Sequence, residues 1–388
     1  MFRGDLQRDG HAAGATLSAR RAATLHPVWT ATPGGAIDGT PVVVGDTVIV
    51  ATEAGTLAAF DVRNGARGWT VSGLGKVTGS PAVADGIAVI GSTNGHVYAI
   101  RASDGHQLWD WKAPGDAPAI WSSPAITDGR VLIGVASPYG DSPLQPGRVA
   151  ALELHSGKQQ WVTCILSGCA PGAGVWSSVA VDAGGHGFVG VGNPVDGVVA
   201  FDVASGSLMW TASFHEDAGR DLDVGATPLI ASIGGREVVA DGSNAGVFDV
   251  LDALTGAVVW SRFVVPGSAV HGLIASAAFD GSLLYVASAS QPTGLTALDP
   301  ASGEIRWQQL TDLPIYSAPA VGADVLLFGT GDVFGDAQTG KMIALSTKDG
   351  SLVWSYDMKS SVFSAPAISG DRVIVGDTQG VLTVFGPD

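Results

Sequence analysis

The chain has 388 residues, of which 46% are hydrophobic and only 14% charged, with 55 glycines. That is enough apolar material for large cores, and few charges with frequent glycine point to β structure and tight turns, not to helical bundles. The formal net charge of -16 argues against nucleic-acid binding and against electrostatic attachment to anionic lipid, and no apolar run approaches the roughly 18 residues of a membrane helix.

The first ten residues, MFRGDLQRDG, lack the basic-then-apolar order of a signal peptide. Two readings follow: a cytoplasmic protein, or a mature extracytoplasmic (periplasmic or secreted) chain whose signal has been removed. The segment HPVWTA, with Trp29, then reads as a lone β-strand. After it a unit recurs. In TGSPAVADGIAVIGSTNGHVYAIRASDGHQLW, SPAV, IAVIG and HVYAI are three predicted strands and QLW opens a fourth.

The pattern Gly-x-x-x-Trp occurs seven times, at Gly65/Trp69, Gly105/Trp109, Gly157/Trp161, Gly206/Trp210, Gly256/Trp260, Gly303/Trp307 and Gly350/Trp354. Glycine supplies the positive φ of a hairpin turn. The tryptophan then sits on an outermost strand, where its ring can pack on a neighbouring unit. Pro41, Pro81, Pro124, Pro228, Pro319 and Pro366 mark the first strand, which must be an edge to tolerate them. Four-stranded blades arranged radially explain both residues, since the innermost strand of a blade is an edge facing the channel.

The last unit, SVFSAPAISGDRVIVGDTQGVLTVFGPD, stops after three strands. The strand around Trp29 supplies the fourth and closes the ring. The expectation is one all-β domain over 1–388, an eight-bladed β-propeller of four-stranded antiparallel blades. Its units run about 35–75, 76–115, 116–168, 169–216, 217–268, 269–314, 315–360 and 361–388 completed by 26–31. Cys164 and Cys169, the two cysteines of the chain, are either a short-loop disulfide joining the third and fourth blades or two unrelated thiols.

These repeats resemble the pyrroloquinoline-quinone (PQQ) type of β-propeller from the FRGD start to Phe385. That family holds calcium- and PQQ-dependent alcohol dehydrogenases, including the polyvinyl-alcohol type, and a non-catalytic outer-membrane assembly lipoprotein. Most members act outside the cytoplasm, which favours the extracytoplasmic reading. The stretch GAGVWSSVAVDAGGHGFVGVGNP is similar to the dehydrogenase segment in which a tryptophan floors the quinone and an asparagine binds calcium. The resemblance implies those roles for Trp176 and Asn193. RDLDVGATP is similar to the segment that carries the proposed catalytic base, which implies Asp221 as base and calcium neighbour, with Asp223 beside it.

Calcium takes oxygen ligands and would polarise the quinone carbonyl, while a carboxylate removes the alcohol proton. Trp176 shares its blade position with Trp121, Tyr316 and Phe363, and Asp38 and Thr78 hold that step in the first two units. These residues are expected to gather at one channel mouth, with Trp121 against the cofactor and Tyr316, Phe363, Asp38 and Asp223 in the substrate pocket. Plainer readings stand beside these: a hydrophobic channel lining for Trp176, a backbone-driven turn for Asn193, and solvated loop acids for Asp221 and Asp223.

The chain departs from the dehydrogenase pattern. Where the family has a cation to hold the quinone oxygens, Ser243 and Asn244 stand here, leaving Asn244 to meet the cofactor. Asp141 is the one acid found where a glutamate calcium ligand is expected. The vicinal cysteine pair and the haem motif C-x-x-C-H are both absent from the sequence. Three functions remain open: a PQQ- and calcium-dependent oxidoreductase for alcohols or sugars, a non-catalytic binding or assembly module with a protein partner, and a propeller enzyme doing non-redox chemistry on a small organic ligand.

Overall fold

The computed structural model describes the chain apart from residues 1, 13, 217–218 and 333–338. Among the described residues the strands form eight four-stranded antiparallel sheets, each a blade of one ring. Seven blades run outward in chain order. Their innermost strands are Val42–Val44, Ala82–Ala84, Ala125–Thr127, Ala180–Val181, Leu229–Ile233, Ala278–Phe279 and Ala320–Val321. Blade 8 has Ala367–Ser369 innermost, then Arg372–Gly376 and Leu382–Gly386, and its outermost strand is His26–Ala31. Trp29 pairs with Val384 there, so the two ends of the chain close the ring as the sequence predicts.

The two middle strands of a blade are covered on both faces by neighbouring blades. They are accordingly near-continuous apolar runs, as in Ile87–Gly91, where every residue is buried. The outer strand faces solvent on one side and alternates, as Leu208–Ser213 does. The core therefore lies in the seams between blades: Val89 and Val97 of blade 2 pack with Ile133 and Leu152 of blade 3.

The repeated tryptophans bind the seams. Each outer-strand indole donates to a carbonyl of the next blade at 2.8 to 3.3 Å, from Trp29 to Val62 around to Trp354, which donates to Leu25 in the segment leading into blade 8. In all but Trp354 the ring lies on the glycine of the next blade's Gly-x-x-x-Trp. At Gly256 a Cβ would fall 2.7 Å from the Trp210 ring, and φ is +72°. That glycine thus satisfies two demands, a left-handed turn and a flat seat for an indole. Seven of the eight outer strands begin two residues before their tryptophan, as Gln107–Lys112 does around Trp109.

The N-terminal segment has a role that its sequence did not announce. It winds around one end of the channel, and the amides of Val181, Ile230, Phe279 and Val321 donate to the carbonyls of Leu6, Gln7, Asp9 and Gly10. Arg3 and Arg8 are buried at 6% and 0% exposure, and burial lowers both guanidinium pKa values to about 10. Their donors are spent on backbone carbonyls, including Val179 from Arg8 at 2.9 Å and Pro319 from Arg3 at 3.3 Å. Cys164 and Cys169 form a disulfide that ties the last strand of blade 3 to the start of the link toward blade 4.

Candidate functional site

Each blade begins with a short segment that descends the channel wall before its first strand. The eight residues at one matched step are Asp38, Thr78, Trp121, Trp176, Gly225, Ile274, Tyr316 and Phe363, and all line a single cavity of about 480 Å³. Its lining continues past the next step to Phe2 of the N-terminal segment, at the far end of the channel. A channel blocked at one end is a funnel, a shape and size suited to a small ligand.

One step below the rim, hydroxyls replace the large side chains. The backbone N–H of Thr40 donates to Ser80 Oγ, Ser80 to Ser123, Ser123 to Ser178, Ser178 to Thr227 and Thr227 to Ser276, at 2.8 to 2.9 Å. This belt links six consecutive blades and fixes the height of the residues above it. The Ser and Thr that precede the first strands hold the frame together around the channel.

The aromatic wall is rigid. Tyr316 and Phe363 stack with centroids 5.9 Å apart and planes 9° from parallel. Trp121 Nε1 donates to the Ser137 carbonyl at 2.9 Å. Trp176 is held from two sides. Its Nε1 donates to Asp223 Oδ2 at 3.0 Å, and its six-membered ring covers Gly225, where a Cβ would fall 1.8 Å from it. Only glycine at 225 allows the indole to lie against the next blade.

Asp223 is a fastening, and it stands outside the funnel lining. Its Oδ1 accepts the Asn193 N–H at 3.1 Å and its own carbonyl accepts the Asn244 N–H at 2.8 Å. Burial raises its pKa, with the Asp221 and Asp141 charges adding to it and the Trp176 and Asn193 hydrogen bonds opposing. Asp221 lies in an exposed turn at φ +54°, and its carboxyl is raised by partial burial and then by Asp141. Asn244 is 2% exposed, and its Nδ2 donates to the Ala269 carbonyl at 2.9 Å. Asn193, Asp221, Asp223 and Asn244 are therefore brought close to Trp176 or behind it, but none is part of the funnel wall.

The carboxyls on the funnel wall come from blade 1. Asp38 and Glu53 sit together with Lys76 of the second unit, and Lys76 Nζ lies 2.6 Å from Glu53 Oε1. Burial, then the hydrogen bond and charge of Glu53, raise the Asp38 pKa to about 8. Burial also pushes Glu53 up, but the hydrogen bonds with Asp38 and Lys76 outweigh it and leave Glu53 lowered. Burial and Glu53 thus favour the protonated form of Asp38, while Lys76 and Asp38 favour the ionised form of Glu53. Glu53 and Lys76 were not anticipated from the sequence. Nor were Gly225 and Ile274, although extending the blade register that found Trp176 would have reached both.

The donor set near Trp176 does not fit calcium. Asn193, Asp221 and Asp141 offer oxygen, but both Asp223 oxygens already accept N–H bonds. Among the described residues no three His, Cys, Asp or Glu side chains are grouped so as to hold one metal ion. The funnel fits the ring system of PQQ better: a supported indole, facing aromatic walls and one ammonium at Lys76.

Comparison with known proteins agrees with this architecture. The family model described as outer membrane protein assembly factor BamB matches residues 11–138, 63–163, 145–317 and 293–387. A polyvinylalcohol dehydrogenase from a Pseudomonas species is 24% identical over an alignment of 239 residues, with coverage of 48% of this chain and 37% of that protein's length. Among solved structures, the quinohemoprotein alcohol dehydrogenase of Comamonas testosteroni superposes with a TM-score of 0.85 at 18% identity, covering 100% of this chain and 80% of that one. A europium-containing methanol dehydrogenase gives 0.85 at 17%, covering 100% and 97%. BamB from Moraxella catarrhalis gives 0.71 at 17%, covering 93% and 97%. At these identities the structural matches speak for the fold alone. The family model covers most of the sequence, and the chain belongs to the PQQ-type β-propeller repeat family that this model, described as BamB, represents.

Proposed function

We propose that the funnel binds a flat, oxygen-rich organic molecule stacked on Trp176, with PQQ as the leading candidate, and that the protein is a quinoprotein-like oxidoreductase acting on an alcohol or sugar. The observation that carries this is Trp176 itself. Its indole is pinned by Asp223 and seated on Gly225, so it is ready to receive a ring without rearrangement. Trp121, Tyr316 and Phe363 exclude water around that ring. Lys76 offers a cation to a ligand carboxylate.

Bound PQQ would supply the redox chemistry, which no side chain of the funnel can. The chain's own contribution is proton handling. Glu53 is the carboxylate kept ionised on the funnel wall, by the Asp38 proton and by Lys76 at 2.6 Å. As an ionised carboxylate of the funnel wall it would accept the proton of an alcohol held in the funnel. In this reading the base is on blade 1, and Asp221 serves through its charge. The disulfide suits an oxidising, extracytoplasmic location.

A second reading, a binding or assembly module with a protein partner, is favoured by the calcium mismatch and by the burial of Asn244 at the turn where the dehydrogenases carry a cation. Titration with PQQ, with and without calcium, separates the two. Quenching of tryptophan emission, a shifted quinone absorbance and dye-linked alcohol oxidation are expected, and all three should be lost in Trp176→Ala. Absence of PQQ binding with calcium in excess would leave the module reading in place.

A further inference from the structure

All eight inner strands present the same pair of backbone groups to the end of the channel opposite the aromatic funnel. The pair is a carbonyl and, two residues later, an amide that faces away from the sheet. The N-terminal segment satisfies this pattern on one side of the ring only. In blades 4 to 7 the amides are those of Val181, Ile230, Phe279 and Val321, each donating to a carbonyl of residues 6–10. Arginine takes four of the carbonyls, those of blades 3, 4, 6 and 7: Arg8 binds Val179 at 2.9 Å and Pro124 at 3.3 Å, and Arg3 binds Ala277 and, at 3.3 Å, Pro319.

Blades 8, 1 and 2 carry the same pair at Pro366 and Ile368, Pro41 and Val43, and Pro81 and Val83. Ile368, Val43 and Val83 each lie one step from the residue pair that closes a two-residue hairpin. In antiparallel pairing that step turns N–H and C=O away from the partner strand. Among the described residues no protein group bonds these three carbonyls or three amides. A second cavity of about 270 Å³ opens over blades 8 and 1, bordered by Pro41, Val43, Pro366 and Ile368 and by Asp5 of the N-terminal segment. Thr40, 8% exposed, lines both this cavity and the funnel, and its buried hydroxyl has no partner among the described residues.

We propose that this open arc docks an extended, arginine-bearing peptide segment of a partner, laid on the inner edges of blades 8, 1 and 2 as the N-terminal segment is laid on those of blades 4 to 7. The chain's own sequence is the template. Peptide carbonyls would accept from Ile368, Val43 and Val83, which is strand-edge recognition applied around a ring. A guanidinium, with five donors in a fixed fork, can bridge the inner-strand carbonyls of adjacent blades as Arg8 bridges Val179 and Pro124 and Arg3 bridges Ala277 and Pro319, whereas an ammonium is a single point charge. The net charge of -16 and the exposed Asp5 at the cavity edge favour a cationic segment; Arg3 and His11 also border the cavity, and the Arg3 guanidinium is buried and bound to backbone carbonyls. The site is independent of what the funnel holds.

The test uses the whole protein and a fluorescein-labelled peptide with the sequence of residues 2–10, FRGDLQRDG. Fluorescence anisotropy should show saturable binding. Amide hydrogen exchange should slow at Ile368, Val43 and Val83 on saturation. Replacing both peptide arginines by citrulline should weaken binding at least about tenfold. Val43→Pro removes an outward donor without touching a ladder bond, and should weaken binding to a similar extent at an unchanged thermal midpoint. The citrulline peptide on unaltered protein serves as the check should that variant fold poorly. Equal affinity for the citrulline peptide overturns the proposal, as does the absence of binding. So does faster exchange at Val181, Ile230, Phe279 and Val321, because the probe is then displacing the N-terminal segment instead of filling the open arc.

Discussion

The indole N–H of Trp176 donates to the carboxylate of Asp223 across the seam between blades 4 and 5, at 3.0 Å. The same carboxylate holds the Asn193 amide, so one acid fixes both the aromatic floor and the turn that flanks it. Asp223→Ala should release both. A loss of about 1–3 kcal/mol of stability is expected, with a clear fall in PQQ affinity. Asp223→Asn keeps one acceptor and should cost less on both counts. Chemical denaturation and quinone titration read the two effects separately, and equal affinities in all three proteins would show that Trp176 needs no such fastening.

Asp38 gives the funnel a pH signature. Its pKa is raised to about 8 in the folded protein, while in the unfolded chain it titrates in the ordinary carboxyl range. Between those limits the folded state holds a proton that the unfolded state has released, so this group's contribution makes stability fall as pH rises toward 8. Asp38→Asn should flatten that slope and leave the variant more stable than the wild type at pH 9. Thermal melts from pH 5 to 9 measure it. Parallel slopes in the two proteins would contradict a protonated Asp38.

Closure of the ring depends on Trp29, whose Nε1 donates to the Val62 carbonyl at 2.9 Å while its ring lies on Gly65. Trp29→Ala removes the seam between the composite blade and blade 1. A loss of about 2–4 kcal/mol is expected, the range for a large aromatic cut from a packed site that is partly exposed. A cost no greater than that of an exposed surface substitution would mean that the ring stays closed without this contact.

The disulfide closes a loop only five residues long in sequence separation. In the chain-entropy model so short a loop gains little, and Cys164→Ser with Cys169→Ser should cost about 2 kcal/mol or less. Reduction of the wild-type protein should lower its unfolding midpoint by a similar amount. A much larger loss would mean that the link between blades 3 and 4 is organised by this bond.

The sequence by itself determined the architecture. Gly256 with Trp260, and the same pair repeated along the chain, specify a turn and an indole at a fixed offset, and the period of the repeat sets the blade count. Pro41 and its counterparts mark the inner edge because only an edge strand tolerates a missing donor. The gathering of Trp121, Trp176, Tyr316 and Phe363 was also legible, since one register places all of them at the same height. Tertiary structure alone decided which acids reach the funnel. Asp221 and Asp223 are two residues apart, yet one is exposed in a left-handed turn and the other is tied to Trp176. Asp38, Glu53 and Lys76 are separated along the chain and meet only because adjacent units fold side by side. The channel plug was hidden for the same reason. Arg3 and Arg8 look like solvated charges in a terminal segment, and they are buried with their donors on backbone carbonyls, some of the segment itself and the rest contributed by distant blades. Local sequence carries backbone preference and periodicity, whereas the partner of a buried charge is set by where the ring brings other blades.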